Sequence, residues 1–449
     1  MCGAALLLAL VAFGTGCAAI DPQHVLTRTW SNDVPAEGSA LDGGTRQRAY
    51  DFVWQRIAEA YVDPNYNGVN WKLTGETQRA DILNAANDDV FWSRLDAMTA
   101  ELGDAHTRVL SPRQYAFHLT KQNNPLGLWL SEIDGAIVVT AVTPASPGAK
   151  AGIVPGDRLL TIDSLPAGDW WQVQKSTARK NSTDRAKLKW VKRAFNAGDP
   201  KAPSDTLSFV VEREGGSPEA ITLTRTLMPR KELLTSILRP DGVGYVRLTG
   251  FDAKLKGEVA PAFDRIRNAK ALVIDVRGNS GGSLDLSLAM MDQLVGSPTS
   301  LGKRVTRSGK PPTFMFGLIS AGTLDLQLKG VAKPFTGPVV VLVDEDSASA
   351  SELLSGALQA TGRAQIVGET TCGCLLGYMG YAIVPGGGAL AYSEMDFALR
   401  SASRIEGVGV QPNHAVSPSR QDLQQGRDRA LETAIALLTA AAPVANVSQ

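Results

Sequence analysis

Cysteine is scarce in this chain: there are four among 449 residues, and histidine is equally rare at four. Cys2 and Cys17 fall in the N-terminal segment, which leaves Cys372 and Cys374 for the folded body. Two thiols one residue apart do not make a disulfide framework, and a bridge across a single residue closes a tight ring, which argues against pairing them. With no second cysteine pair and no neighbouring histidine, no structural zinc site is expected, and no other metal or cofactor is called for. Net charge is missing too. The 45 basic and 45 acidic residues cancel, which removes the electrostatic case for nucleic acid or an anionic membrane surface and favours a peptide or another neutral partner. Nor is there a long hydrophobic run, since the apolar stretch Gly3 to Phe13 is too short to span a bilayer.

That stretch has the length of a signal-peptide core, and Gly14-Thr15-Gly16-Cys17 follows it. Small residues directly before a cysteine resemble a lipoprotein cleavage site. The expectation is a signal segment over 1–17, lipidation at Cys17, and an exported protein of the periplasm or cell envelope that the lipid could anchor to the membrane. Gly14 stands where leucine is usual, and the segment before the apolar run has no Lys or Arg. Residues 18–44, rich in Pro, Asp, Ser and Gly, read as a tether.

Three folded sections follow, giving a multidomain α+β protein. Residues 45–120 carry a helical pattern, with Phe52, Val53, Ile57 and Tyr61, then Ile82, Phe91, Trp92, Leu95, Met98 and Leu102. Residues 124–230 change to strand patterns at 126–130, 136–142 and 155–162, with a short helix at 146–153. This order resembles a PDZ domain. Its Leu126-Gly127-Leu128 loop would bind a peptide's C-terminal carboxylate, and the strand after it would add the peptide to the sheet. An insertion over 167–203, basic and bearing Trp170, Trp171 and Trp190, reads as a surface helix on that module. Residues 231–445 alternate strands (242–248, 271–276, 338–344) with helices (259–266, 284–294, 352–361, 430–441), an α/β pattern.

Two segments of the last section carry chemistry. Asp346-Ser347-Ala348-Ser349-Ala350-Ser351-Glu352 leads from a buried strand into a helix, where Ser349 is either a nucleophile or an ordinary helix cap. Asp275-Val276-Arg277-Gly278-Asn279-Ser280-Gly281-Gly282 is a strand end followed by a Gly-rich turn that can offer N–H groups to an anion, and it lacks the lysine of a nucleotide-binding loop.

In this order, behind a PDZ-like module, these segments resemble the serine peptidase family of the C-terminal processing proteases, the tricorn proteases and the retinoid-binding repeats. Further matches are Asp104-Ala105-His106-Thr107, Gly244-Tyr245, Gly368-Glu369-Thr370-Thr371 and Gly407-Val408-Gly409-Val410-Gln411-Pro412. The resemblance implies a helical cap, a crotonase-like α/β core, Ser349 as nucleophile, and an oxyanion hole from Gly281 or Gly282 with the N–H of Ala350. The processing-protease lysine is replaced by Cys374, and its Gln partner by Tyr378. A tricorn-like arrangement is therefore implied, with His106 as base and Glu406 orienting it, although Ala105 stands where tricorn has a serine. The implied activity is hydrolysis of polypeptides, held by their C-termini. The rival is a degenerate scaffold of the same fold that binds a peptide or ligand without cleaving it. Oligomeric state is open.

Overall fold

The computed structural model describes residues 40–120, 122–123, 125–197, 206–229, 232–314, 319–320, 322–400 and 404–440. The expected signal segment with Cys17 and nearly all of the tether lie outside them. No helix among the described residues is long and apolar enough to cross a membrane. The chain divides into two compact units. Of the described residues, one takes those within 40–119, 302–326 and 376–398, and the other those within 120–301, 327–375 and 399–440.

In the first unit, helices Gly43–Ala60, Trp71–Leu83 and Asp88–Ala100 each start at a side-chain cap, Asp42, Asn70 and Asn87 respectively. Each cap oxygen accepts an otherwise orphaned N–H of the first turn. Their buried faces bring Tyr50, Val53, Ile57, Tyr61, Phe91, Trp92, Leu95 and Met98 into one core, joined by Val384, Leu390 and Tyr392 from the distant 376–398 segment. The strand Arg108–Leu110, which follows the Asp104–Thr107 cluster, pairs antiparallel with Ala389–Ala391.

The second unit holds two six-stranded sheets among the described residues. Strands Leu128–Ile133, Ala136–Val142, Arg158–Ile162, Thr206–Glu212 and Glu219–Thr224 form an antiparallel sheet with Leu128–Ile133 at its edge. The insertion is not a surface addition to it. Trp170 and Trp171 of helix Ala167–Thr177, and Val191 and Phe195 of helix Asp184–Ala197, are buried in the core of this sheet. Large apolar side chains at helical spacing outweighed the basic residues between them.

The other sheet runs in the order Leu234–Leu238, Val243–Leu248, Ala271–Asp275, Val339–Val343, Gln365–Gly368, His414–Ala415. Its first pair is antiparallel and the rest are parallel. The strands Ala271–Asp275 and Val339–Val343 are buried throughout, as expected of continuous Val, Leu and Ile runs covered on both faces. Helix Arg429–Ala440 packs Ala434 and Leu438 against Val273, Val340 and Leu342.

Candidate active site

Strands Ala271–Asp275, Val339–Val343 and Gln365–Gly368 are neighbours and parallel, so their carboxyl ends lie side by side. That edge is where open α/β sheets place their ligands. It brings together three segments far apart in sequence: the 275–282 turn, the 344–349 turn and the 368–374 turn.

The first two are laced together. Gly278 N–H donates to both oxygens of Asp344 at 2.8 Å, and Ala348 N–H donates to Asn279 O at 3.0 Å. Ser347 Oγ donates to Val276 O and Ser351 Oγ to Asn279 O, each at 2.9 Å. At the strand end, Asp275 is buried against Arg247, Arg277 and the Tyr245 hydroxyl. Burial alone would raise its pKa, but the two guanidiniums and the phenol hold it below the ordinary carboxylate range.

Ser349 opens the helix Ala350–Ala360 with φ 56° and ψ −115°. This is outside the wells that an L-residue ordinarily adopts, a strain of roughly 1–3 kcal/mol that persists only where surrounding contacts impose it. The residue is not an ordinary cap, because capping residues sit in extended backbone. Its N–H is shared between Cys374 O at 3.1 Å and Glu352 Oε2 at 3.0 Å.

Glu352 is the buried hub of the site, and the sequence reading missed it. Besides Ser349 N–H, its carboxylate accepts Thr371 Oγ1 at 2.6 Å, Gly373 N–H at 2.7 Å and Cys374 N–H at 2.9 Å. Burial pushes its pKa up, and the four donors oppose that shift. The Ser-x-x-Glu spacing of a capping box was the available signal.

Gly281 lies against the serine turn. A Cβ there would stand 2.7 Å from Ala348 O, 2.7 Å from Ser349 Cβ and 2.8 Å from Ala350 N. Its own N–H donates to Asn279 Oδ1 at 2.9 Å, so Gly281 supplies space more than a donor. Among the described residues, the N–H groups of Gly282 and Ala350 have no hydrogen-bond acceptor.

Cys372 and Cys374 form a disulfide, contrary to the expectation that such close cysteines stay apart. The Cα atoms are 5.3 Å apart, within the ordinary range for a bridge. Gly373 makes this possible by taking φ 76° between them. A bridged Cys374 has no thiolate to accept a proton, so Cys374 is no base. Glu406 is buried beside this turn, and its Oε2 accepts Leu375 N–H at 2.5 Å.

His106 belongs to the other compact unit. Asp104 fixes its backbone by accepting His106 N–H and Thr107 N–H, both at 2.7 Å, and is itself held by Tyr61 Oη and Ser393 Oγ. The imidazole lies 5.8 Å, centroid to centroid, from the ring of Tyr378. His118 stacks on Tyr115 and lies tilted against Tyr381, and His414 Nε2 bonds Gln365 Oε1.

The Asp184–Ala197 helix reaches the same turns. Lys192 Nζ contacts Glu345 Oε1 at 2.5 Å and Asp346 Oδ2 at 2.9 Å, and Lys189 Nζ donates to Asp346 O at 2.7 Å. Arg185 Nε donates to Thr371 O, and Thr183 Oγ1 to Cys372 O. Burial would raise the Asp346 pKa, but Lys192 and Lys189 bring it below the usual range; burial and the Asp346 charge push Asp344 up. The sequence signal was Arg185, Lys189 and Lys192 on one helical face.

Residues 242–416 match peptidase family S41, and residues 138–176 match the PDZ domain family. A carboxyl-terminal-processing protease of Picosynechococcus sp. is 28% identical over 417 residues, covering 88% of this chain and 90% of the relative. Carboxyl-terminal-processing peptidase 3, chloroplastic, of Arabidopsis thaliana is 27% identical over 386 residues, covering 82% and 68%. Among solved structures, a photosystem II D1 C-terminal processing protease matches with TM-score 0.56 and 22% identity, and mature CPAF complexed with lactacystin with 0.62 and 16%. Each covers 88% of this chain and 98% of the solved one.

Proposed function

We propose that this chain, whose residues 242–416 belong to peptidase family S41 and which carries a PDZ domain, cleaves polypeptides through an acyl-enzyme on Ser349. Ser349 Oγ attacks the scissile carbonyl carbon while His106 takes its proton. The oxyanion accepts hydrogen bonds from Ala350 and Gly282 N–H, and the imidazolium returns the proton to the leaving amine. Water, deprotonated by His106, then attacks the acyl carbonyl; the bond from the acyl carbon to Ser349 Oγ breaks, the imidazolium returns the proton to Oγ, and the carboxylic acid product leaves. Glu406 orients the base, as the tricorn-like resemblance implies, and Asp104 sets the His106 backbone. The helical segment 45–120 serves as a cap, 124–230 as the PDZ domain and 231–445 as a crotonase-like core. The single observation that carries this reading is the strained Ser349 backbone, at the carboxyl end of a buried parallel strand, against a glycine that only a missing side chain allows.

Substrates are polypeptides, held by their C-termini as the PDZ resemblance implies, and the relatives above are named for carboxyl-terminal processing. The chain is exported to the periplasm or cell envelope, with lipid attachment at Cys17. A fluorophosphonate probe followed by mass spectrometry tests the core of the proposal. Labelling at Ser349, lost together with peptide hydrolysis in folded Ser349→Ala protein, is expected. No label and no hydrolysis in the native chain would favour the binding scaffold, and hydrolysis retained by Ser349→Ala would overturn the nucleophile.

A further inference from the structure

The donors of the Leu126–Leu128 loop are already occupied. Leu126 N–H donates to Asn196 O at 2.8 Å, Gly127 N–H to Asn196 Oδ1 at 2.8 Å, and Leu128 N–H to the same Oδ1 at 3.3 Å. Asn196 is buried near the end of the Asp184–Ala197 helix. Its amide oxygen therefore sits on successive backbone N–H groups, the arrangement by which such loops capture a terminal carboxylate. The adjoining strand Leu128–Ile133 is the edge of its sheet and has a strand partner on one side only among the described residues, the position at which strand addition takes place.

We infer that Asn196 is a built-in stand-in for the C-terminal carboxylate of a peptide, so that the loop rests in a self-occupied state which an incoming carboxylate must displace. This deepens the peptide-tail reading above and takes the ligand's chemistry from it. Two observations make the contact a competitor that a ligand can remove. First, Asn196 offers a neutral amide oxygen, whereas a carboxylate makes charge-assisted bonds about twice as strong. Second, Arg225 donates to Phe195 O at 2.6 Å, placing a guanidinium beside this helix end and favouring an anion in the loop. The helix cannot simply leave, because Thr183, Arg185, Lys189 and Lys192 tie it to the core. Displacement is thus a rotation of the Asn196 side chain, which frees the N–H groups of Gly127 and Leu128 and leaves Leu126 N–H on the Asn196 main-chain oxygen.

The test measures binding, in full chain carrying Ser349→Ala, so it does not depend on hydrolysis. The probe is a fluorescein-labelled decapeptide ending in valine with a free carboxylate, compared with its C-terminal amide by fluorescence anisotropy. Asn196→Ala is expected to bind the acid peptide about fivefold or more tightly than its Asn196 parent, with little gain for the amide. Asn196→Asp, which keeps a carboxylate in the loop, is expected to bind it about tenfold more weakly. Equal affinity in all three proteins, no binding by any of them, or loss of binding in natively melting Asn196→Ala protein overturns the inference. If Asn196→Ala does not fold, Asn196→Asp decides alone, and affinity unchanged from the parent overturns it. Failure of the peptidase reading would look different: no hydrolysis by the wild-type chain, with carboxylate binding intact.

Discussion

At Gly281 the space for one methyl group decides whether the Ser349 turn can form. A Cβ there would lie 2.7 Å from Ser349 Cβ and 2.8 Å from Ala350 N, both far inside van der Waals contact, and the residue's φ of 89° is unfavourable for any L side chain. Gly281→Ala must push back the 348–350 backbone, which Asn279 and Glu352 hold on either side. The substitution is expected to slow fluorophosphonate labelling of Ser349 by about 100-fold, the scale of losing one oxyanion donor. It should also destabilise the fold by about 1–3 kcal/mol, the range for imposed backbone strain. Labelling at the wild-type rate would show that the turn tolerates the methyl and that the close approach does not set its shape. The turns that hold Ser349 and Gly281 are legible as local punctuation, a strand end followed by small residues, whereas the roles of the two residues come from the family resemblance. The Ser349 backbone angles and the four donors gathered by Glu352 are products of the packed turns, and no window of sequence contains them.

The insertion helix shows the limit of such reading at the level of an element. The sequence places a basic, tryptophan-bearing helix within 167–203, but the face that matters depends on partners more than 150 residues away: Lys192 meets Asp346 across a separation of 154. A helical stripe of Arg185, Lys189 and Lys192 looks the same whether it faces water or a buried acidic turn, so the sequence alone favoured a solvated face. The buried location makes a definite energetic claim. Removing one partner of a buried ion pair leaves an uncompensated charge and costs about 3–5 kcal/mol. Lys192 is 5% exposed, so Lys192→Met should destabilise at about that level and reduce peptide hydrolysis, because Glu345 and Asp346 belong to the turn that leads into Ser349. Adding Glu345→Gln should restore part of the loss, and urea unfolding of the two single variants and the double variant would measure the coupling. Additive losses would mean that the ammonium and the Glu345 carboxylate do not depend on each other.

For the whole molecule, the folded segments are less contiguous than a linear reading suggests. The unit that contains the helical 45–120 section also takes 302–326 and 376–398, because Val384, Leu390 and Tyr392 complete its core. Runs of apolar residues announce burial but not the core that receives them. Charge placement in the other unit has a consequence for the stability of the molecule. Glu369 follows the Gln365–Gly368 strand, where burial first, and then the charges of Glu345 and Asp344, push its pKa from the ordinary 4.5 up to about 7. The folded chain therefore holds a proton that the unfolded chain has already released between these two values. Below pH 4.5 both states are protonated and the group contributes nothing. As pH rises towards 7 the folded state loses stability, and above 7 the penalty is complete. The full difference corresponds to about 3 kcal/mol, which we reduce to about 2 kcal/mol because Glu369 keeps a partly solvated edge. Glu369→Gln keeps the shape without the charge, so its advantage over wild type should be near zero at pH 4.5 and grow to about 2 kcal/mol at pH 8. Urea midpoints measured for both proteins at these two pH values read that difference directly, with the remaining titrations largely cancelling between them. Parallel pH profiles would place Glu369 in water, ionised in both states, and remove the acidic repulsion among Glu369, Glu345 and Asp344 as a determinant of stability.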